Sequence, residues 1–285
     1  MQHKRSTLVV SMLCFGLAFL YIPIFLLIFY SFNYSKIVPL WGGFSTRWYT
    51  KLFESPEVWD AVMLSLKIAL INATFATILG TLAGIAMVRF GNFKGRTLFS
   101  GMISAPLVMP EVITGLSLLL MFITLADLIG WPGDRGFTTI TIAHITFSMA
   151  YVAVIVQSRL TGMDESIEDA AMDLGAKPFR VLTDITLPLL APGMLAGWLL
   201  AFTLSLDDLV IASFVTGPGS NTLPILIYSR IRLGLRPDIN ALATIIIMTV
   251  SLGVMIAAWI MWRQEKQQMR DRQMVKADEI KTDNH

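Results

Sequence analysis

Residues 163–192 read MDESIEDAAMDLGAKPFRVLTDITLPLLAP, the longest polar, charge-bearing stretch between two apolar segments of the chain. Asp164, Glu165, Glu168 and Asp169 crowd its start, where acidic side chains complement the positive end of a helix dipole. Ala170, Ala171, Met172 and Leu174 supply a small apolar face. Gly175 is placed to end the helix in a left-handed cap, and Pro178 blocks its continuation. The pattern predicts a short helix over 164–177, held between two membrane spans. Such a helix is a rigid handle by which something outside a membrane can move helices inside it.

The chain around this handle is too apolar for a soluble domain. Of 285 residues, 55% are hydrophobic and only 15% charged. A membrane-spanning helix needs about 20 apolar residues. Six segments meet that need: 8–30, 61–88, 98–126, 138–156, 189–215 and 241–262. The first carries Pro23 as a kink, and the third is interrupted by Pro106 and Pro110. Lys4 and Arg5 precede the first, which is longer than a signal-peptide core and shows no small-x-small cleavage site, so it reads as a retained span. The expected fold is all-α integral membrane, with six transmembrane helices in one domain over 1–262, the polar loop at about 157–188 and a polar tail over 263–285.

Smaller features refine this picture. Ala76, Gly80 and Gly84, and again Gly193 and Gly197, are spaced by four. That spacing lets helix backbones approach closely. Trp41, Phe44, Trp48, Tyr49 and Trp59 cluster between the first two spans, and such density suits an interfacial helix or a partner contact. The single cysteine, Cys14, excludes a disulfide framework and a thiolate metal cluster. With the N-terminus inside, the inner segments hold fourteen Lys and Arg (two, three, three and six in chain order) and the outer loops seven. This favours both termini in the cytoplasm, with the 163–192 loop beside them.

No G-x-x-x-x-G-K-[ST] is present, so the chain has no phosphate-cradling loop of its own. Neither H-E-x-x-H nor G-x-S-x-G occurs, so no hydrolase machinery is expected. His144, the one histidine away from the termini, reads as a hydrogen-bonded packing residue. The charges at membrane depth carry more information, because each costs about 2.5–3.5 kcal/mol at a helix centre. They are Lys67, Glu111, Asp207 and Asp208. Three acids against one base suit a polar path for a cation, and carboxylates separated along it suit a cation with two amino groups. A structural ion pair with ordinary interfacial acids is the alternative.

Several of these stretches resemble one family. Asp169-Ala170-Ala171, three residues, Gly175, nine residues and Ile185-Thr186-Leu187-Pro188 resemble the EAA loop of permease subunits in binding-protein-dependent ABC importers. The family's glutamate is Asp169 here, with Glu168 just before it. The stretches PLVMPEVI (106–113), SLDDLV (205–210) and TGPGSNTLP (216–224) look like the polyamine branch, with putrescine importers ahead of spermidine importers.

The resemblance implies the type I ABC-importer (MetI-like) permease fold in a bacterial inner membrane. It implies a heterodimer with a second permease subunit, two ATPase subunits that bind ATP and Mg, and a periplasmic polyamine-binding protein. No cofactor in this chain and no nucleic-acid partner are expected. Glu168, Asp169, Ala170, Ala171, Gly175 and Pro178 would couple to the ATPases. Glu111, Asp207 and Asp208 would line the substrate path, with Trp41 and Tyr151 as aromatic candidates. Three other readings stay open: a spermidine importer of the same build, an ion-coupled secondary transporter working through Glu111 and His144, and a non-transporting scaffold.

Overall fold

A computed structural model describes residues 7–35, 40–232 and 237–253, together with Met255, Trp259 and Arg263. All its regular elements are helical, and they divide into two compact units: Met1–Glu54 with Arg230–His285, and Ser55–Ser229. The tail expected over 263–285 lies outside the described residues beyond Arg263.

In the first unit, α1 (Thr7–Ser31) is apolar all round and presents its side chains outward. Its 25 residues span about 37 Å at 1.5 Å per residue, and Pro23 lies within it. Asn33, fully buried, organises the turn that follows. Its amide nitrogen donates to Leu40 O at 2.7 Å, and its side-chain oxygen accepts the N–H groups of Ser35 and Gly42. The Trp48 indole N–H donates to Asn33 O at 2.7 Å, anchoring α2 (Arg47–Phe53). The Arg47 guanidinium sits over the rings of Tyr34 and Trp48 at 4.4 and 4.3 Å. Of the aromatic cluster expected between the first two spans, Trp41, Phe44, Trp48 and Tyr49 belong to this unit, while Trp59 lies in the second. Helix α12 (Pro237–Gly253) covers the start of the sixth expected span, whose remainder over 254–262 lies largely outside the described residues.

The second unit is built on α3 (Pro56–Arg89), α6 (Phe137–Thr161) and α9 (Leu187–Asp207). Small residues explain their closeness. A Cβ added to Gly80 would lie 2.7 Å from Val152 Cβ and 2.8 Å from Met149 O. One added to Gly84 would lie 2.8 Å from Val156 Cγ1, and one added to Gly197 3.1 Å from Val152 Cγ1. Val152 therefore sits at the junction of all three helices. Asn72, buried beside it, donates to Ala201 O at 2.8 Å and to Ser148 Oγ at 3.2 Å, joining the same three elements.

The third expected span is two helices, α4 (Arg96–Val108) and α5 (Glu111–Ile129). Pro106 lies inside α4, and the break comes at Pro110, which pushes Met109 to extended backbone (φ −73°, ψ 136°). Helix α5 has 19 residues and is itself long and apolar enough to cross a membrane, so Glu111 opens a span instead of interrupting one. The fifth expected span is also divided. It begins earlier, at Pro178, and α9 stops at Asp207; a separate α10 (Val210–Val215) follows. Five helices among the described residues are long and apolar enough to cross a membrane, and α12 is a shorter sixth.

Two loops meet at the end of this unit where α6 begins. A Cβ on Gly217 would strike the Arg135 carbonyl, so only glycine permits that approach. Thr139 Oγ1 donates to Val215 O at 2.7 Å, and the Leu223 N–H that opens α11 (Leu223–Arg232) donates to Ser65 Oγ at 2.8 Å. The Thr216–Pro224 stretch is thereby fixed to both α6 and α3.

Candidate functional site

The polar loop forms the expected short helix, α7 (Ser166–Asp173), though trimmed at both ends. Asp164 precedes it, and the Ser166 N–H donated to its carboxylate at 3.0 Å holds that carboxyl below the usual range. Gly175 ends it with φ +88°. Its N–H donates to Met172 O at 2.9 Å, and the Ala176 N–H reaches back to Ala171 O at 3.0 Å. This is the paired closure of a left-handed cap. Pro178 then starts α8 (Pro178–Val181), where its missing N–H costs nothing.

None of the α7 side chains is buried. Ile167, Met172 and Leu174 are exposed, Leu174 by 90%. The apolar face read from sequence is therefore turned outward. Between α7 and α8 runs a groove of about 600 Å³, lined by Ala171, Gly175, Lys177, Arg180 and Asp184 among others.

Glu168 behaves differently from its neighbours. Its carboxylate lies against Arg89 of α3, Nε to Oε2 at 3.0 Å, and accepts the Thr186 hydroxyl at 2.8 Å. Arg89 also pairs with Glu165. Asp169, by contrast, is exposed. Thr186 closes a wide π-type turn, Leu182–Thr186, in which the Leu187 N–H reaches back to Leu182 O. Pro188 accounts for it: proline offers no N–H to the Asp184 carbonyl, and its ring crowds that oxygen in a regular helix. Arg89 lies just past the second expected span, and Thr186 enters the sequence reading only through the Ile185–Pro188 motif. Their pairing with Glu168 spans residues far apart in the chain and carries no local signal.

The acids expected on a substrate path occupy three settings. Asp207 is the exposed last residue of α9. Asp208 follows at the break between α9 and α10, with its side chain 9% exposed. Its carboxylate accepts the N–H groups of Ala212 at 2.7 Å and Ile211 at 3.3 Å, and faces His144 Nε2 at 3.1 Å. Glu111 is exposed in the first turn of α5. It lies one turn before Gly115, where an added Cβ would meet Phe214 of α10 at 2.8 Å and the Ile211 Cα at 3.3 Å. Residues four apart share a helix face, so Glu111 continues the face of α5 that packs on α10. Tyr151 is half-buried on α6, its ring 5.2 Å from that of Phe147. Trp41 belongs to the first unit and stacks on Phe29 at 4.5 Å. Lys67, exposed on α3, lines a cleft of about 740 Å³ with Glu57, Asp60 and Asn221. No group of three or more metal-ligating side chains occurs among the described residues.

His144 is buried, Nδ1 lying 2.7 Å from Ser205 Oγ, while Nε2 approaches the Asp208 carboxylate without the alignment of a hydrogen bond. That is the packing role expected of it, but the carboxylate partner was not anticipated. A residue 64 positions away is invisible to any reading of local pattern.

Comparison with known proteins agrees with this architecture. Residues 76–268 match the family described as binding-protein-dependent transport system inner membrane component. The chain is 57% identical over 269 residues to the putrescine transport system permease protein PotI of Escherichia coli (strain K12), covering 94% of this chain and 96% of that one. It is 42% identical to the spermidine/putrescine transport system permease protein PotC of the same strain, covering 87% and 91%. Among solved structures, a bacterial ABC transporter importing alginate superposes with a TM-score of 0.68 at 20% identity, covering 92% of this chain and 96% of that one. The MetNI methionine ABC transporter superposes at 0.57 with 16% identity, covering 75% and 95%. The helical order is that of the type I ABC-importer permeases, and the chain belongs to the binding-protein-dependent transport system inner membrane components.

Proposed function

We propose that this chain is a membrane-spanning permease subunit of an ATP-driven polyamine importer, with putrescine as its cargo. The observation that carries the reading is the 57% identity to a putrescine permease over nearly the full length of both chains. It pairs with a second permease subunit to enclose the path. Two ATPase subunits bind and hydrolyse ATP with Mg, and a periplasmic polyamine-binding protein delivers the substrate. The excess of Lys and Arg on one set of loops supports a bacterial inner-membrane protein with both termini and α7 in the cytoplasm.

The mechanism is alternating access. Ile167, Met172 and Leu174 form the exposed apolar face by which α7 seats on an ATPase subunit. Asp169, Ala170, Ala171 and the groove beside Gly175 complete that seat, while Glu168 and Pro178 hold its shape. Closure of the ATPase pair carries α7 with it and turns the spans toward the outward-open state; hydrolysis resets them. Putrescine passes along Glu111 and Asp207, with Asp208 adding its charge and Tyr151 as an aromatic wall. A ligand shifts a two-state equilibrium only through unequal affinity for the two states. The path therefore binds substrate weakly, and recognition rests with the binding protein.

A spermidine importer of the same build is the second reading, favoured by the 42% identity to a spermidine/putrescine permease. The test is ATP hydrolysis by the complex that co-purifies with this chain, reconstituted in lipid with periplasmic extract. Stimulation by putrescine supports the proposal, stimulation by spermidine alone changes the cargo, and no co-purifying hydrolysis removes the ATP-driven reading.

A further inference from the structure

Two polar layers are stacked within the apolar interior of the α3–α6–α9 bundle. In one, Asn72 joins Ser148 of α6 to the Ala201 carbonyl of α9. One helical turn along both α6 and α9, His144 and Ser205 meet, and the imidazole extends the contact to Asp208. His144 is 2% exposed, so each of its nitrogens depends on these partners. Nε2 lies 3.1 Å from the Asp208 carboxylate, a close polar contact without the alignment of a hydrogen bond, while Nδ1 and the Ser205 hydroxyl share a hydrogen bond at 2.7 Å. Asp208 in turn receives the two N–H groups that open α10. Ser205, His144, Asp208 and the first turn of α10 thus stand in contact one after another.

From this geometry we infer that His144 and Ser205 are positioning residues for Asp208, clamping its carboxylate at the break between α9 and α10 so that its charge stays fixed beside the substrate path while Asp207 remains open to it. The inference rests on the permease reading above. A flexible aspartate at a helix break would swing toward a passing cation and hold it; a clamped one offers its field without closing on the substrate. The clamp also keeps the first turn of α10 capped, so the break is a defined joint and not a loose end.

The test is putrescine uptake into proteoliposomes holding the whole importer, with the ATP consumed measured in parallel. The variants are His144→Ala, His144→Gln, Ser205→Ala, Asp208→Asn and the double variant His144→Ala/Asp208→Asn, compared at equal amounts of recovered complex. Groups acting as one unit are non-additive. His144→Ala is therefore expected to lower putrescine moved per ATP by about ten-fold, a coupling of the size found for contacting residues. The double variant should fall no further than Asp208→Asn alone. His144→Gln, which can still donate to Asp208, should recover most of the loss, and Ser205→Ala should show a smaller loss of the same kind. Additive losses in the double variant, or an unchanged ratio in His144→Ala, would overturn the clamp. Failure of the unaltered complex to couple ATP to putrescine would instead strike the importer reading itself.

Discussion

Arg89 and Glu168 face each other across 79 positions of sequence, guanidinium Nε 3.0 Å from the carboxylate, both side chains mostly covered. This pair fastens α7 to the last turn of α3, and Thr186 adds the π-type turn to the same carboxylate. A stroke delivered to α7 therefore reaches α3 directly as well as α9 through the chain. Replacing Arg89 with Ala leaves the mostly covered Glu168 without its cation, at a cost of about 1–3 kcal/mol. Arg89→Ala should lower uptake more than it lowers ATP hydrolysis. The exchanged pair Arg89→Glu/Glu168→Arg should regain part of the loss, because it restores opposite charges at that contact. Uptake per ATP equal to that of the unaltered complex in Arg89→Ala would remove the fastening role.

Gly175 is a matter of backbone and not of space. An added Cβ would meet nothing within 4 Å, yet φ is +88°. A β-branched residue there is strained by about 1–2 kcal/mol or more, whereas Asn tolerates left-handed backbone better. Gly175→Val should weaken recovery of the ATPase subunits with this chain, and Gly175→Asn should weaken it less. Normal transport by the Val variant with ATPases bound would end the coupling assignment.

Gly80 is the opposite case. Its added Cβ would press on Val152 and on the Met149 carbonyl, and backbone cannot step aside as a side chain can. Overpacking of this kind costs about 1–3 kcal/mol. Gly80→Ala should lower the thermal midpoint in detergent. Gly101→Ala, where space is open, should leave the midpoint unchanged or raise it slightly through the helix preference of alanine. Equal midpoints for the two variants would mean that α3 and α6 are less closely seated than described.

Asp207 is exposed at the end of α9 while its neighbour Asp208 is engaged. Asp207→Asn should therefore slow putrescine uptake without loosening the complex, and Glu111→Gln should do the same. Radiolabelled uptake at saturating binding protein, beside a pull-down of the partner subunits, checks both. Unchanged uptake in each would return these acids to surface roles.

The helices and their closest contacts were legible because they rest on local composition: long apolar runs, glycines four apart, and the Gly175–Pro178 stop. The joints were harder to read. Pro106 and Pro110 look alike in sequence, yet only Pro110 breaks the helix. The division between Asp207 and Asp208 depends on where α9 ends, and that is set by α10 receiving a cap from Asp208 itself. The partners of the acids, Arg89 for Glu168 and His144 for Asp208, come from different helices. Only folding brings them together, so no spacing announces them.

Val152 touches the positions of both Gly80 and Gly197, and this has a consequence for what can bend. A side chain wedged between two glycines leaves neither neighbour room to slide, so α3, α6 and α9 travel as a single keystone block. Of the two helix breaks described in this unit, Asp208–Leu209 is held by the Asp208 cap, which leaves Met109–Pro110 as the freer place to bend. Crosslinks placed within the block should be silent, whereas a crosslink across the Met109–Pro110 break should stall transport.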